Sequence, residues 1–236
     1  MRTHQNIKIK LILIVILSLT GLSGSISTRQ NLPIGFVYLE NVIPGITIEL
    51  RYFSSNNFIR NTIDGYEGPR CIITGKAAAA LMNVQIELNE NGLGLKIFDA
   101  YRPQQAVDHF VRWAKDLSDT LNKNQYYPEV PKSELFERGY ISARSGHTRG
   151  STLDLTIIYV AGENTGKELD MGTPWDFFST KSWPSSELVT AQQKSNRDLL
   201  RDVMTKHGFK PLKEEWWHFT LQDEPYPDTY FNFPVR

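Results

Sequence analysis

The sequence predicts an α+β fold: a single domain with a small, mostly antiparallel sheet and flanking helices. Two observations lead there. Strand-like and helix-like stretches are mixed without the regular βαβ rhythm of a parallel sheet. No internal repeat and no Gly/Ser-rich or Pro-rich linker divides the 236 residues. One domain spanning 33–236 is therefore expected.

The elements follow in chain order. Ile46, Ile48, Leu50 and Tyr52 alternate with Thr47, Glu49 and Arg51, the pattern of a half-buried strand. Residues 76–89 are rich in Ala, Leu and Met and predict a helix, with Asn91-Gly92 as its stop. Residues 95–98 form a short strand. Pro103 opens a helix on which Ala106, Phe110 and Trp113 recur at helical spacing. Pro128 and Pro131 mark a loop. Residues 153–160 form a strand. Residues 189–206 form a helix with Leu199, Leu200 and Val203 on its apolar side, ended by Gly208. Residues 216–221 make the last strand.

Charge and cysteine content narrow the function classes. Lys plus Arg is 26 and Asp plus Glu is 26, so the chain has no basic footprint for nucleic acid. Cys71 is the only cysteine, which excludes an internal disulfide framework and a Cys-rich zinc finger. Any metal must be held by His and carboxylates. At the amino terminus, Arg2, Lys8 and Lys10 precede an apolar run over 11–17, followed by Ser23-Gly24-Ser25 and Ser27. That order predicts a secretory signal peptide over 1–25, cleaved near Ser25 or Ser27. The run is short against the roughly 20 apolar residues of a spanning helix. The expected mature protein is exported, periplasmic or extracellular, without stable membrane insertion, and carries a net charge of −3.

Two of the five histidines stand in unusual surroundings. His147 lies in Ser145-Gly146-His147-Thr148-Arg149-Gly150-Ser151-Thr152-Leu153-Asp154. Asp154 sits inside an apolar strand, where a carboxylate is costly unless paired, hydrogen-bonded or metal-bound. On one straight strand His147 and Asp154 would face opposite ways, but Gly150 offers a bend. Alone, this segment reads equally as a turn Asp with a satisfied His. His218 lies in Glu214-Glu215-Trp216-Trp217-His218-Phe219, three residues after Glu215. Alone, it reads equally as an aromatic core strand with an edge Glu. Together, His147, Asp154 and His218 supply two imidazoles and one carboxylate, the ligand count of a catalytic zinc with one position left open. Nitrogen and oxygen donors also suit other divalent metals. Glu215 beside them is a candidate proton acceptor. A third segment, Phe98-Asp99-Ala100-Tyr101-Arg102-Pro103, joins a strand to a helix. Arg102 there either stabilises an oxyanion, oriented by Asp99, or forms a structural ion pair.

These three segments, with Leu50-Arg51-Tyr52, Asn57-Phe58, Gly139-Tyr140 and Met171-Gly172-Thr173 with Asp176, resemble the D-alanyl-D-alanine dipeptidases, including the vancomycin-resistance type. The likeness runs in order from Ile46 to the carboxyl terminus. It implies a zinc dipeptidase of small α+β fold, with the zinc at the sheet, that cleaves free D-Ala-D-Ala in a closed cavity. By this resemblance His147, Asp154 and His218 bind one Zn²⁺ and Glu215 is the catalytic base and later acid. Arg102 would stabilise the tetrahedral intermediate, Asp176 would bind the substrate ammonium, and Ser145 would lie near the substrate carboxylate. Two positions depart from the family pattern. Thr152 stands where Ala is usual, and Gly146 lacks a side chain beside His147, which would widen the cavity. The partner expected is a small D,D-dipeptide. The competing readings are a D,D-carboxypeptidase acting on larger wall peptides, a non-catalytic cell-wall module, and a hydrolase with Ser145 as nucleophile.

Overall fold

In the computed structural model, described for residues 32–236, the sheet that carries the site is built from five strands in the order β2–β4–β5–β7–β6. These are β2 (Thr47–Ile48), β4 (Leu93–Asp99), β5 (Thr152–Tyr159), β6 (Phe209–Pro211) and β7 (His218–Leu221). All neighbours are antiparallel except β2 and β4, which run parallel. A second sheet pairs β1 (Phe36–Tyr38) with β3 (Ile72–Thr74). The mixed fold with a mainly antiparallel sheet is the one the sequence predicts. The signal segment lies outside the described residues.

Among the described residues five α-helices flank the sheets: α1 (Leu39–Val42), α2 (Gly75–Asn89), α3 (Gln104–Lys115), α4 (Lys123–Tyr126) and α5 (Ala191–Lys206). Each long helix starts where a local signal places it. Thr74 caps α2 by accepting from the Ala77 N–H. Thr190 and Gln193 form a reciprocal capping box on α5, which satisfies two otherwise orphaned donors. Pro103 stands one residue before α3, at the cap position. α2 packs on β4 and α5 on β6. Leu81, Val84, Leu200, Val203 and Met204 join Leu153, Leu155 and Ile157 of β5 in one core. Leu199 belongs to the solvent side of α5 instead, because its neighbour Leu200 already takes the inward position.

The short elements β1, α1, β3 and α4 are not part of the sequence reading, and three further stretches differ from it. The alternation from Ile46 to Tyr52 pairs only at Thr47–Ile48, and the chain then coils into a 3₁₀ turn over Arg51–Phe53. That turn buries Tyr52 and sends its hydroxyl toward Asp176. Trp216 and Trp217 precede the last strand and sit in a turn, with the Trp216 N–H bonded to the Ser182 carbonyl. β6 is an additional short edge strand, whose Pro211 reads locally as a breaker but is tolerated at an edge.

The ladder between β4 and β5 is irregular at one point. Ile97 pairs with Leu155, but Asp99 pairs with Asp154, so two residues of β4 oppose one of β5. In a regular ladder Asp99 would face Leu153, on the apolar side. The bulge turns it to the side of Asp154.

Candidate active site

The sheet brings its carboxylates and one imidazole into a lateral row. Asp99 on β4, Asp154 on β5 and His218 on β7 are direct cross-strand partners in sequence. Partners opposite each other share a face of the sheet. His147 reaches the same point from outside the sheet, on a 3₁₀ turn over Gly146–Arg149. Ser145 caps that turn, its Oγ accepting from the His147 N–H at 3.3 Å. Gly150 ends it with φ 84°, and a Cβ there would lie 2.2 Å from the Phe36 ring, so only glycine fits. The turn resolves the separation of His147 and Asp154, which a straight strand would have pointed to opposite faces. The Phe231 N–H donates to the Thr148 carbonyl at 3.0 Å, so the carboxyl-terminal segment holds the turn from behind.

Three donor atoms converge. His147 Nε2 is 3.2 Å from Asp154 Oδ1, His218 Nδ1 is 3.1 Å from the same oxygen, and the two nitrogens are 3.3 Å apart. Donors bound at about 2.0–2.2 Å to a tetrahedral Zn²⁺ lie roughly 3.3–3.5 Å from one another. The observed triangle is slightly tighter. Asp154 Oδ1 is buried and lacks a well-formed hydrogen bond despite these contacts. His147 Nδ1 lies 2.8 Å from the Ala100 carbonyl, which makes Nδ1 the protonated nitrogen and leaves the Nε2 lone pair aimed at the triangle. An orphaned buried oxygen facing two ring nitrogens fits a divalent cation, and among the described residues these three form the only such group.

Electrostatics reinforce the picture. Burial works to raise the Asp154 pKa, but the two imidazoles outweigh it and hold the carboxyl well below the usual range. Burial works to lower the His218 pKa, but the Asp154 and Glu215 carboxylates push it up to about 9. Asp176 is buried with a left-handed backbone, φ 64°, and its Oδ2 accepts from the Tyr52 hydroxyl at 2.9 Å. Burial, then the charges of Asp154 and Glu215, drive the Asp176 carboxyl well above the usual range. Burial is the larger cause; the charges of Asp154 and Glu215 that add to it also attract an ammonium group.

Arg102 is fixed from several sides. Its Nε and one terminal nitrogen lie 2.9 and 2.8 Å from Asp99 Oδ2, and a terminal nitrogen is 3.6 Å from Asp154 Oδ2. Its guanidinium carbon lies 5.0 and 5.2 Å from the ring centroids of Tyr52 and Phe110. Asp99 is in turn held by the Tyr66 hydroxyl at 2.5 Å. Glu215 Oε2 lies 3.4 Å from His218 Nδ1, touching the donor triangle at one corner.

All seven residues singled out in the sequence line one part-open cavity of about 240 Å³: Arg102, Ser145, His147, Asp154, Asp176, Glu215 and His218. The cavity is half-enclosed rather than sealed. Gly146 does not widen it. A Cβ there would sit 2.9 Å from Thr152 Oγ1, so the larger side chain at Thr152 occupies the space that Gly146 leaves. Sequence reasoning gave no role to Tyr52, Phe58, Phe110, Tyr140 and Phe178, which form the aromatic wall. Buried aromatics read as core from sequence alone. The two other histidines among the described residues stay outside: His109 accepts from the Asp64 N–H, and His207 pairs with Glu87 at the end of α5.

The family model for D-ala-D-ala dipeptidase matches residues 33–236. A D-alanyl-D-alanine dipeptidase of Enterococcus faecalis is 41% identical over 201 residues, covering 85% of this chain and 98% of that protein. One from Enterococcus faecium is 36% identical, covering 86% and 99%. One from Streptomyces coelicolor is 39% identical, covering 85% and 98%. The His/Asp/His triangle, the fixed arginine and the adjoining glutamate thus sit in a chain that belongs to the D-Ala-D-Ala dipeptidase family of metallopeptidases.

Proposed function

We propose that the protein hydrolyses free D-Ala-D-Ala to D-alanine, with one Zn²⁺ held by His147, Asp154 and His218. The observation that carries this reading is the meeting of all seven residues around one cavity beside a donor triangle of metal-binding dimensions. A metal bound there would polarise the scissile carbonyl and lower the pKa of water. Glu215 takes the proton of the attacking water at its carboxylate and returns it to the leaving amine. Arg102, oriented by Asp99, presents a fixed positive charge to the developing oxyanion. Asp176 receives the substrate ammonium, and the Ser145 hydroxyl lies toward the carboxylate end.

Size supports a dipeptide. The cavity of about 240 Å³ falls below the roughly 300–1,000 Å³ of pockets that hold drug-sized ligands. The expected result is release of D-alanine from D-Ala-D-Ala by the purified protein, loss of that activity on chelation, and recovery with about one equivalent of zinc per chain. A D,D-carboxypeptidase would instead favour a pentapeptide ending in D-Ala-D-Ala. Metal-loaded protein that releases D-alanine from neither substrate overturns the proposal.

The positively charged and apolar amino-terminal run over residues 2–17 supports export, which would direct the activity to wall peptides outside the membrane rather than to a cytoplasmic precursor. No helix among the described residues is long and apolar enough to cross a membrane. Amino-terminal sequencing of the exported protein is expected to begin near residue 26 or 28. An intact Met1 in the exported fraction overturns this.

A further inference from the structure

The cavity is lined by two arginines in different electrostatic states. Arg102 is committed: its guanidinium is shared between Asp99 and Asp154. Arg144 lines the same cavity but is exposed at its mouth, and among the described residues it forms no ion pair with a carboxylate. It is nevertheless placed. Its guanidinium carbon lies 5.2 Å from the centre of the Tyr230 ring. The Gln104 side chain donates to the Ala143 carbonyl at 3.2 Å, tying down the preceding residue. The other cation near Tyr230, Arg149, is neutralised by two hydrogen bonds to Glu224 at 2.9 and 2.8 Å. A stacked arginine without an anion is a ready partner for one.

The substrate class supplies that anion. A free dipeptide carries an ammonium at one end and a carboxylate at the other. Asp154 and Glu215 place negative charge in the inner cavity, beside Asp176, and repel the carboxylate from that end. Arg102 is already shared by two carboxylates. Arg144 is the remaining arginine of the lining, and its neighbour Ser145 has a hydroxyl proton to donate, since its oxygen accepts from the His147 N–H. Resting on the dipeptidase reading, we propose that Arg144 binds the free α-carboxylate of the substrate and so determines the preference for peptides that end one residue beyond the scissile bond. This role is recognition, not chemistry: Arg144 pairs with a group that keeps its charge throughout the reaction. Its loss therefore acts mainly on KM.

The test compares D-Ala-D-Ala with D-alanyl-D-alaninamide, which lacks the carboxylate, in the wild type and in Arg144→Gln and Arg144→Lys. The wild type is expected to prefer the acid over the amide. Arg144→Gln is expected to raise KM for the acid by about 10–100-fold, the range of a hydrogen bond to a charged group. Its acid-over-amide preference collapses toward one, and Arg144→Lys recovers part of that preference. An equal loss on acid and amide, or an unchanged preference, overturns the assignment. A wild type that cleaves neither substrate takes down the dipeptidase reading together with it.

Discussion

Replacing Glu215 by Gln is expected to lower kcat on D-Ala-D-Ala by about 10²–10⁴-fold, the usual contribution of a positioned proton-transfer group. The metal content should stay at wild-type level. Gln keeps the shape of the side chain and removes only its ability to accept a proton. The geometry makes the second half of this result informative. Glu215 Oε2 lies 3.4 Å from His218 Nδ1, barely farther than the edges of the donor triangle at 3.1, 3.2 and 3.3 Å. On distance alone Glu215 is close to being a fourth donor. It touches the triangle only at His218, however, and its side chain is more exposed than that of Asp154. Those two facts favour a proton carrier over a ligand. Measuring kcat and metal content on the same sample separates the roles. If Glu215→Gln loses metal along with turnover, Glu215 is a ligand and the assigned base is wrong. Turnover near the wild-type rate removes it from the chemistry altogether.

Replacing His218 by Ala is expected to abolish metal binding and turnover together. Losing a partner of a metal ligand typically costs roughly 10–100-fold in affinity. Losing one of three protein donors should cost more, and the residual imidazole and carboxylate would not retain the ion through dialysis. The same substitution should remove the thermal response to metal. A ligand present at about 1,000 times its Kd stabilises the native state by about 4 kcal/mol. For a chain of this size each kcal/mol raises Tm by about 2–4 °C. The wild type should therefore melt roughly 10 °C higher with zinc than without it, and His218→Ala should melt at the same temperature in both conditions. A variant that still gains zinc-dependent stability would show that the ion sits elsewhere.

Much of the molecule was legible in the sequence because its signals are local. Helix α2 announces itself through its Ala, Leu and Met content and the Asn91-Gly92 stop, and α5 through its apolar side and Gly208. The candidate metal donors were legible only jointly: each segment alone reads equally as ordinary packing, whereas two imidazoles together with a carboxylate inside an apolar strand match the ligand count of a catalytic metal. What stayed hidden depends on pairing between distant segments. Nothing near Tyr52 says that the strand pattern stops and a 3₁₀ turn carries its hydroxyl to Asp176, 124 positions away. The left-handed backbone of Asp176 has no glycine to mark it. Arg144 is an ordinary loop cation until the cavity around it is known. The mutual fit of Gly146 and Thr152 exists only once the 3₁₀ turn lies over the start of β5.

The added residue at Phe98–Asp99 has a consequence for how the scaffold divides its duties. It puts the two parts of β4 half a pleat-repeat out of phase. Upstream, Leu95 and Ile97 stay in step with the oily layer beneath the helices. Downstream, Asp99 keeps time with the cleft. A single joint in the backbone thus separates the two duties, so that the interior can drift in composition while Asp99 keeps its grip on the arginine that lines the cavity.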